Sequence, residues 1–173
     1  MREFILHRKK KGRKIGLWIL AIISVVILLL LAFFLYARSA ERPVQEAKKE
    51  ALARISGSVD LKDQGKFYLY TGIKSTYYVL TGKNKENKEI IIWVPKKKSD
   101  KIYVKYASDG ISAQKARRIV EAAKKPKKIL NVTLGMEGDL PLYEVSYLDK
   151  YNRLNYYDMT FRDGEWLREI ENL

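Results

Sequence analysis

The chain of 173 residues has no cysteine, and its single histidine is His7. Without thiols it forms no disulfide, thiol nucleophile, cysteine zinc site or iron–sulfur cluster. Because the only imidazole lies in the N-terminal tail, the rest of the chain has no Ser-His-Asp or Cys-His catalytic group and no histidine metal site. These absences predict a protein that is not an enzyme and has no cofactor or metal.

Two weaker signals of catalysis do not change that prediction. The acids Glu144 and Asp158 lie on neighbouring predicted strands and in principle suffice for glycoside hydrolysis, but no pocket-forming pattern surrounds them. The Ser-x-x-Lys spacing from Ser112 to Lys115 lacks the Ser-Asp-Asn and Lys-Thr-Gly elements of penicillin-recognising enzymes. Ser112 is better explained as the N-cap of a helix.

Charge is absent from residues 15–36, where Ser24 is the one polar side chain. As a helix this segment measures about 33 Å, enough for a bilayer core of about 30 Å. The segment therefore predicts a transmembrane anchor that contacts the lipid bilayer. The alternative is a cleaved signal peptide, whose apolar core is about 7 to 15 residues and precedes small residues. Here Arg38 occupies such a position.

Basic residues are concentrated before the apolar segment, where residues 1–14 contain seven bases and one acid. Because basic clusters resist translocation, we expect a cytoplasmic tail at 1–14 and an extracytoplasmic body at 37–173. An exported body without cysteine favours a bacterial source. A body outside the cell has no nucleic acid as partner.

The body shows the same order of elements twice, which predicts an α+β fold of two tandem units, 37–109 and 110–173. In each unit a helix lies across one face of a curled antiparallel sheet of about four strands. Corresponding positions of the sheets lie 66 residues apart: Tyr77 with Tyr143, Val79 with Val145 and Trp93 with Met159. The predicted helices are 44–55 and 112–124, and the predicted strands are 66–71, 75–81, 89–94, 101–106, 129–134, 142–148, 153–161 and 166–170.

The body resembles the YpmB/TseB-like family of Gram-positive membrane-anchored proteins. The stretches that carry the resemblance are Tyr77-Tyr78-Val79-Leu80-Thr81-Gly82, Ile91-Ile92-Trp93-Val94-Pro95, Gly110-Ile111-Ser112-Ala113-Gln114-Lys115-Ala116 and Tyr143-Glu144-Val145-Ser146-Tyr147-Leu148-Asp149. The helix and hairpins of each unit are also similar to PepSY-type domains, which have a cystatin-like fold.

The resemblance implies a non-enzymatic regulator of cell wall elongation that acts beside a penicillin-binding transpeptidase, a peptidoglycan synthase of the rod-elongation type. The PepSY-like pattern leaves a second function open, an inhibitor or chaperone of an extracytoplasmic protease. A third is a module that binds anionic wall polymer directly. The basic tail also leaves open a cytoplasmic contact with division or shape proteins or with anionic lipid.

Tyrosine is frequent in the body and often occurs in adjacent pairs, such as Tyr77-Tyr78 and Tyr156-Tyr157. Neighbours on a strand point to opposite faces, so one member of each pair is expected outside the helix-covered core. We expect Tyr78 and Tyr156 to be exposed and to contact a partner. The alternative is that tyrosine simply suits a half-buried sheet.

Two lysine runs lie in predicted connections, and the body carries a net charge of +8. If the units pack together, the runs are expected to form one patch for phosphates of an anionic wall polymer or for lipid headgroups. The alternative is that they are solvated loop ends. The runs consist of Lys96, Lys97 and Lys98, and of Lys124, Lys125, Lys127 and Lys128.

Overall fold

The computed structural model describes the backbone of residues 2–173 and the side chains of residues 16–36 and 42–173. A long N-terminal helix precedes two four-stranded antiparallel sheets. The predicted α+β class and the two sheets are therefore confirmed. The side chains of the predicted basic tail, 1–14, lie outside the described residues.

Helix α1 runs from Arg2 to Ile55 without a break. Within it, residues Gly16–Tyr36 are long and apolar enough to cross a membrane, and no other helix among the described residues is. Residues 44–55 are helical and end at Ile55, as predicted. They do not form a separate helix, however, because Pro43 lies inside α1 instead of starting a new one. No glycine occurs between Tyr36 and Ile55, and the segment is rich in helix-forming Ala, Glu and Lys.

The first sheet is a meander in which each strand pairs with the next along the chain. Its second hairpin turns at residues 84–87, where the Asn87 amide donates to the Asn84 carbonyl and Asn87 has a φ of 60°. The strands are β1 (Asp63–Thr71), β2 (Thr76–Lys83), β3 (Glu89–Pro95) and β4 (Tyr103–Tyr106).

A short 3₁₀ helix, Ala107–Asp109, leads into helix α2, Ala113–Lys124, and the second sheet. The Ser112 side chain accepts a hydrogen bond from the Lys115 amide, so its predicted role as N-cap is confirmed. The second sheet is again a meander, with strands β5 (Lys128–Glu137), β6 (Leu140–Leu148), β7 (Leu154–Thr160) and β8 (Trp166–Ile170).

The two faces of the first sheet belong to two different cores. On one face the last turns of α1, with Ala51 and Ile55, pack against Tyr78, Leu80 and neighbouring apolar side chains. The other face joins a larger core that also contains α2 and the second sheet; from the first sheet it takes Tyr70, Tyr77, Val79, Ile91 and Trp93. The expectation of one covered face is wrong for this sheet, because the second sheet covers what α1 leaves.

The second sheet is covered by α2 on one face, where Ala116 and Val120 are fully buried. The cross-strand register also corrects the predicted correspondence. Val79 lies opposite Trp93, whereas Val145 lies opposite Tyr157. The chain between the paired residues is thus two residues shorter in the β6–β7 hairpin than in the β2–β3 hairpin. The counterpart of Trp93 is therefore Tyr157, not Met159.

Candidate functional site

Four tyrosines of the first sheet hold the β5–β6 hairpin of the second. We call this contact the seam, and it joins Tyr68, Tyr70, Tyr77, Tyr103 and residues 73–74 to residues 134–139. The Tyr68 hydroxyl accepts from the Leu134 amide at 3.1 Å, and the Tyr77 hydroxyl donates to the Gly138 carbonyl at 2.9 Å.

Carboxylates of the hairpin complete the seam. Glu137 accepts hydrogen bonds from the Ile73 and Lys74 amides at 3.0 and 3.2 Å. The Tyr103 hydroxyl donates to the Asp139 carboxylate, and this bond, followed by burial, raises the pKa of Tyr103 to about 12. Both sheets are therefore fixed to one another by polar bonds as well as by the shared core.

The predicted exposed tyrosines lie in different environments. Tyr78 is 4% exposed, and its hydroxyl donates to Glu50 at 3.3 Å. Its expected exposure is wrong, because the last turns of α1 cover that face of the first sheet. Tyr156 is half-buried, and its side chain lies on the other face of the second sheet from that of the buried Tyr157. Binding of a partner by Tyr156 stays a prediction.

The lysine runs lie at opposite ends of β5 and form no single patch. The Lys96 amide donates to Thr76 beside the turn that contacts Glu137, at the end of β5, whereas Lys128 begins that strand. Ten extended residues separate these ends by about 30 Å. Lysines 96–98, 125, 127 and 128 are exposed, and binding of anions by them stays a prediction.

Some lysines of the runs already have partners. The half-buried Lys124 pairs with Glu169, and that hydrogen bond raises the pKa of Lys124. Lys98 lies 3.8 Å from Glu50. Surface ion pairs of this kind contribute about 0–1 kcal/mol, so the exposed members stay available to an external anion.

The face of the second sheet opposite α2 has no helix over it. We call it the open face and define it by Thr133, Glu144, Ser146, Tyr156 and Ile170, which lie in two adjacent cross-strand rows. All five are half-buried or exposed. An uncovered sheet face with an aromatic ring and an aliphatic side chain is suited to contact a protein.

At one end of the open face lies a group of charges that we call the charged row: Glu137, Glu144, Asp158 and Arg168. Glu144 is opposite Asp158, and Asp158 is opposite Arg168. The Arg168 Nε lies 2.6 Å from Asp158 Oδ2, close enough for an ion pair although not aligned as a hydrogen bond. The Arg168 Nη1 lies 3.8 Å from Glu137 Oε2.

The two acids considered for catalysis are thus neighbours, as predicted. Burial, and then the charge of Asp158, raise the pKa of Glu144 to about 7, while Arg168 opposes the shift. Burial also raises the pKa of Asp158. Asp158, however, is only 2% exposed and is paired with Arg168, so this pair does not present two carboxyl groups to a substrate.

Charge is distributed unevenly through the body. Residues 47–128 contain 21 bases and 8 acids, a net charge of +13, whereas residues 129–173 contain 4 bases and 9 acids, a net charge of −5. The first sheet and α2 are therefore the basic part, and the second sheet is acidic. Such a distribution orients a protein in the field of a charged polymer or surface.

Comparisons with known proteins agree on one family. The model of the cell wall elongation regulator TseB-like domain matches residues 50–95. The probable cell wall elongation regulator TseB of Bacillus subtilis (strain 168) is 32% identical over 152 residues, which cover 88% of this chain and 92% of that protein. A solved structure of the YpmB protein from Bacillus subtilis is 33% identical with a TM-score of 0.66, covering 71% of this chain and 95% of that one.

Proposed function

The chain belongs to the TseB family of cell wall elongation regulators, and we propose that it regulates elongation without catalysis, by binding a peptidoglycan synthase of the penicillin-binding transpeptidase class. The observation that carries this proposal is the similarity to a probable elongation regulator along 88% of the chain. The two groups considered for catalysis have structural roles instead, which supports binding over catalysis: the Ser112 hydroxyl caps α2, and Asp158 is paired with Arg168.

In this proposal residues 15–36 anchor the protein in the cell membrane as a single pass. The basic tail, 1–14, stays in the cytoplasm, and the body, two PepSY-like units at 37–109 and 110–173, lies outside. The density of bases before the apolar segment supports this orientation. Anchoring confines the body to a thin layer above the bilayer and raises its effective concentration for a synthase anchored in the same layer.

The open face, with Tyr156 near its centre, is the surface proposed to bind the synthase. A half-buried tyrosine supplies apolar area and a hydroxyl at little cost in side-chain entropy, which suits a protein contact. The first sheet offers no equivalent face, because α1 covers one side and the second sheet the other.

A photo-crosslinking amino acid at Tyr156 tests the proposal in growing cells, with the captured proteins identified by mass spectrometry. We expect a penicillin-binding transpeptidase from this position. The matched control carries the same amino acid at Ala122, an exposed position of α2, which covers the other face. We expect no synthase from the control.

Other outcomes distinguish the alternatives. Recovery of an extracytoplasmic protease without a transpeptidase would support a PepSY-type inhibitor or chaperone and overturn the proposal. Equal capture of the synthase from Tyr156 and Ala122 would keep the partner but reject the open face as its binding surface.

A second candidate function, binding of anionic wall polymer or lipid headgroups, is favoured by the charge of +13 on residues 47–128. Its test is co-sedimentation with purified teichoic-acid-bearing walls at 50 and 300 mM salt. Binding should weaken strongly with salt and should be lost when Lys96–Lys98 and Lys125, Lys127 and Lys128 are changed to Glu. Binding that is indifferent to salt would reject this function.

A further inference from the structure

We propose that the charged row is a proton-linked latch on the seam: Glu144 keeps its proton while the seam is closed, and its ionisation loosens the contact between the two sheets. The inference does not depend on which partner the open face binds. It rests on the arrangement of the four charges of the row, on the burial of Asp158 and on the position of Tyr70.

Too few positive charges face the row. Three carboxyl groups, those of Glu137, Glu144 and Asp158, have one cation, Arg168, which is closest to Asp158. Asp158 is only 2% exposed, and its Oδ1 has no hydrogen-bond partner. Because a second uncompensated charge beside a buried carboxylate is costly, protonation of Glu144 stabilises the closed arrangement.

Tyr70 connects the row to the first sheet. Its side chain, 3% exposed, comes from β1 and lies over Gly135, where a Cβ atom would overlap the ring. The Tyr70 hydroxyl has no hydrogen-bond partner, and Asp158 and Glu144 both act, after burial, to raise its pKa. Gly135 is paired with Leu142, which lies on the same face of β6 as Glu144. Tyr70 therefore shields that face from water while the seam is closed, and opening the seam would hydrate Glu144.

Every element packed around Glu144 contributes a named group. β5 provides Glu137, β7 provides Asp158, β8 provides Arg168 and β1 provides the neutral Tyr70. Helix α2 lies on the other face of the sheet and contributes no charge to the row.

The direction of the pH effect follows from these surroundings. With the seam closed, the pKa of Glu144 is about 7, whereas the ordinary value is 4.5. The closed state therefore binds more protons than an open state in which Glu144 is hydrated. Its advantage is complete below about pH 4.5, is lost as the pH rises towards about 7, and then levels off.

Hydrogen exchange of the full chain in lipid nanodiscs, at pH 6 and pH 8 and normalised for intrinsic rates, tests the latch. The reporter is the Leu134 amide, which donates to Tyr68 across the seam. We expect its protection to fall by up to about tenfold at pH 8, and by less if Glu144 stays partly hydrated in the closed state. Amides paired between β2 and β3 serve as an internal reference and should not change.

Two variants separate the latch from general effects of pH. Glu144→Gln, which cannot ionise, should keep the same protection of Leu134 at both pH values. Glu165→Gln changes an exposed carboxyl and should behave as the wild type. Equal loss of protection in Glu144→Gln and wild type, or unchanged protection in the wild type, would overturn the proposal. Should Glu144→Gln fail to fold, a wild-type loss shared equally by the β2–β3 amides would overturn it as well.

Discussion

The two sheets have the same strand order but different surroundings. In the first sheet, every residue of β3 from Ile90 to Pro95 is buried, because α1 covers one face and the second sheet the other. In the second sheet, β6 alternates: Tyr143, Val145 and Tyr147 are buried, and the residues between them are half-buried. An unbroken apolar strand therefore indicates two covered faces, and an alternating strand indicates one.

The strongest way to break this comparison is to remove Trp93, which is fully buried and lies against Phe161 with 5.9 Å between ring centroids. We expect Trp93→Ala to lower the free energy of unfolding by about 3–5 kcal/mol, because a large cavity remains. Trp166, 60% exposed on β8, provides the matched control. Its change to Ala should cost less than about 0.5 kcal/mol. Denaturant unfolding of the full chain in detergent micelles measures both, and similar losses would contradict the assignment of the doubly covered sheet.

The second sheet depends more on charge, and Arg168 tests this. In Arg168→Met the buried carboxylate of Asp158 loses its counter-ion, and we expect a loss of about 2–3 kcal/mol at pH 7. The loss should be smaller at pH 5, because Asp158 can then take up a proton, its pKa being raised by burial.

The control for this prediction is Arg162→Met, since the Arg162 side chain is 83% exposed. It should cost less than about 0.5 kcal/mol at both pH values. Denaturation curves at pH 5 and 7 make the comparison. If Arg168→Met and Arg162→Met lose the same stability, the charged row does not stabilise the sheet.

The smallest expected effect concerns the helices that cover the two sheets. The first sheet is covered by the end of the long helix α1. The second sheet is covered by α2, which has only twelve residues and therefore depends more on its own N-cap. Ser112→Ala removes its cap and should cost about 1 kcal/mol, while Ser112→Asp should be nearly neutral because it also accepts from the Lys115 amide. Thermal unfolding of both variants checks this, and an unaffected alanine variant would show that packing alone starts α2.

Local signals in the sequence predicted the elements that depend on near neighbours. Ser112 as a cap and the strands were evident from patterns within a few residues. The continuity of α1 was missed because proline at position 43 is a common helix start, yet it lies inside this helix.

The seam was not predictable in the same way. It joins residues about 60 positions apart, such as Tyr77 with Gly138 and Ile73 with Glu137, and no local pattern identifies such a pair. One signal was available: the apolar run from Ile90 to Val94 indicates a strand without a solvent face. With that rule Tyr78 would have been placed in the core, and Tyr156 would have remained the less buried member of its pair.

The unbroken course of α1 has a consequence for proteolysis. A protease that cut the helix between residues 42 and 46 would leave Ala51 and Ile55 in place on the first sheet. A cut after Ile55 would remove that cover and expose Leu80 and Ile92 to solvent, and the remaining body would then be prone to aggregate. The last turns of the helix thus decide whether a cleaved chain keeps the first sheet covered.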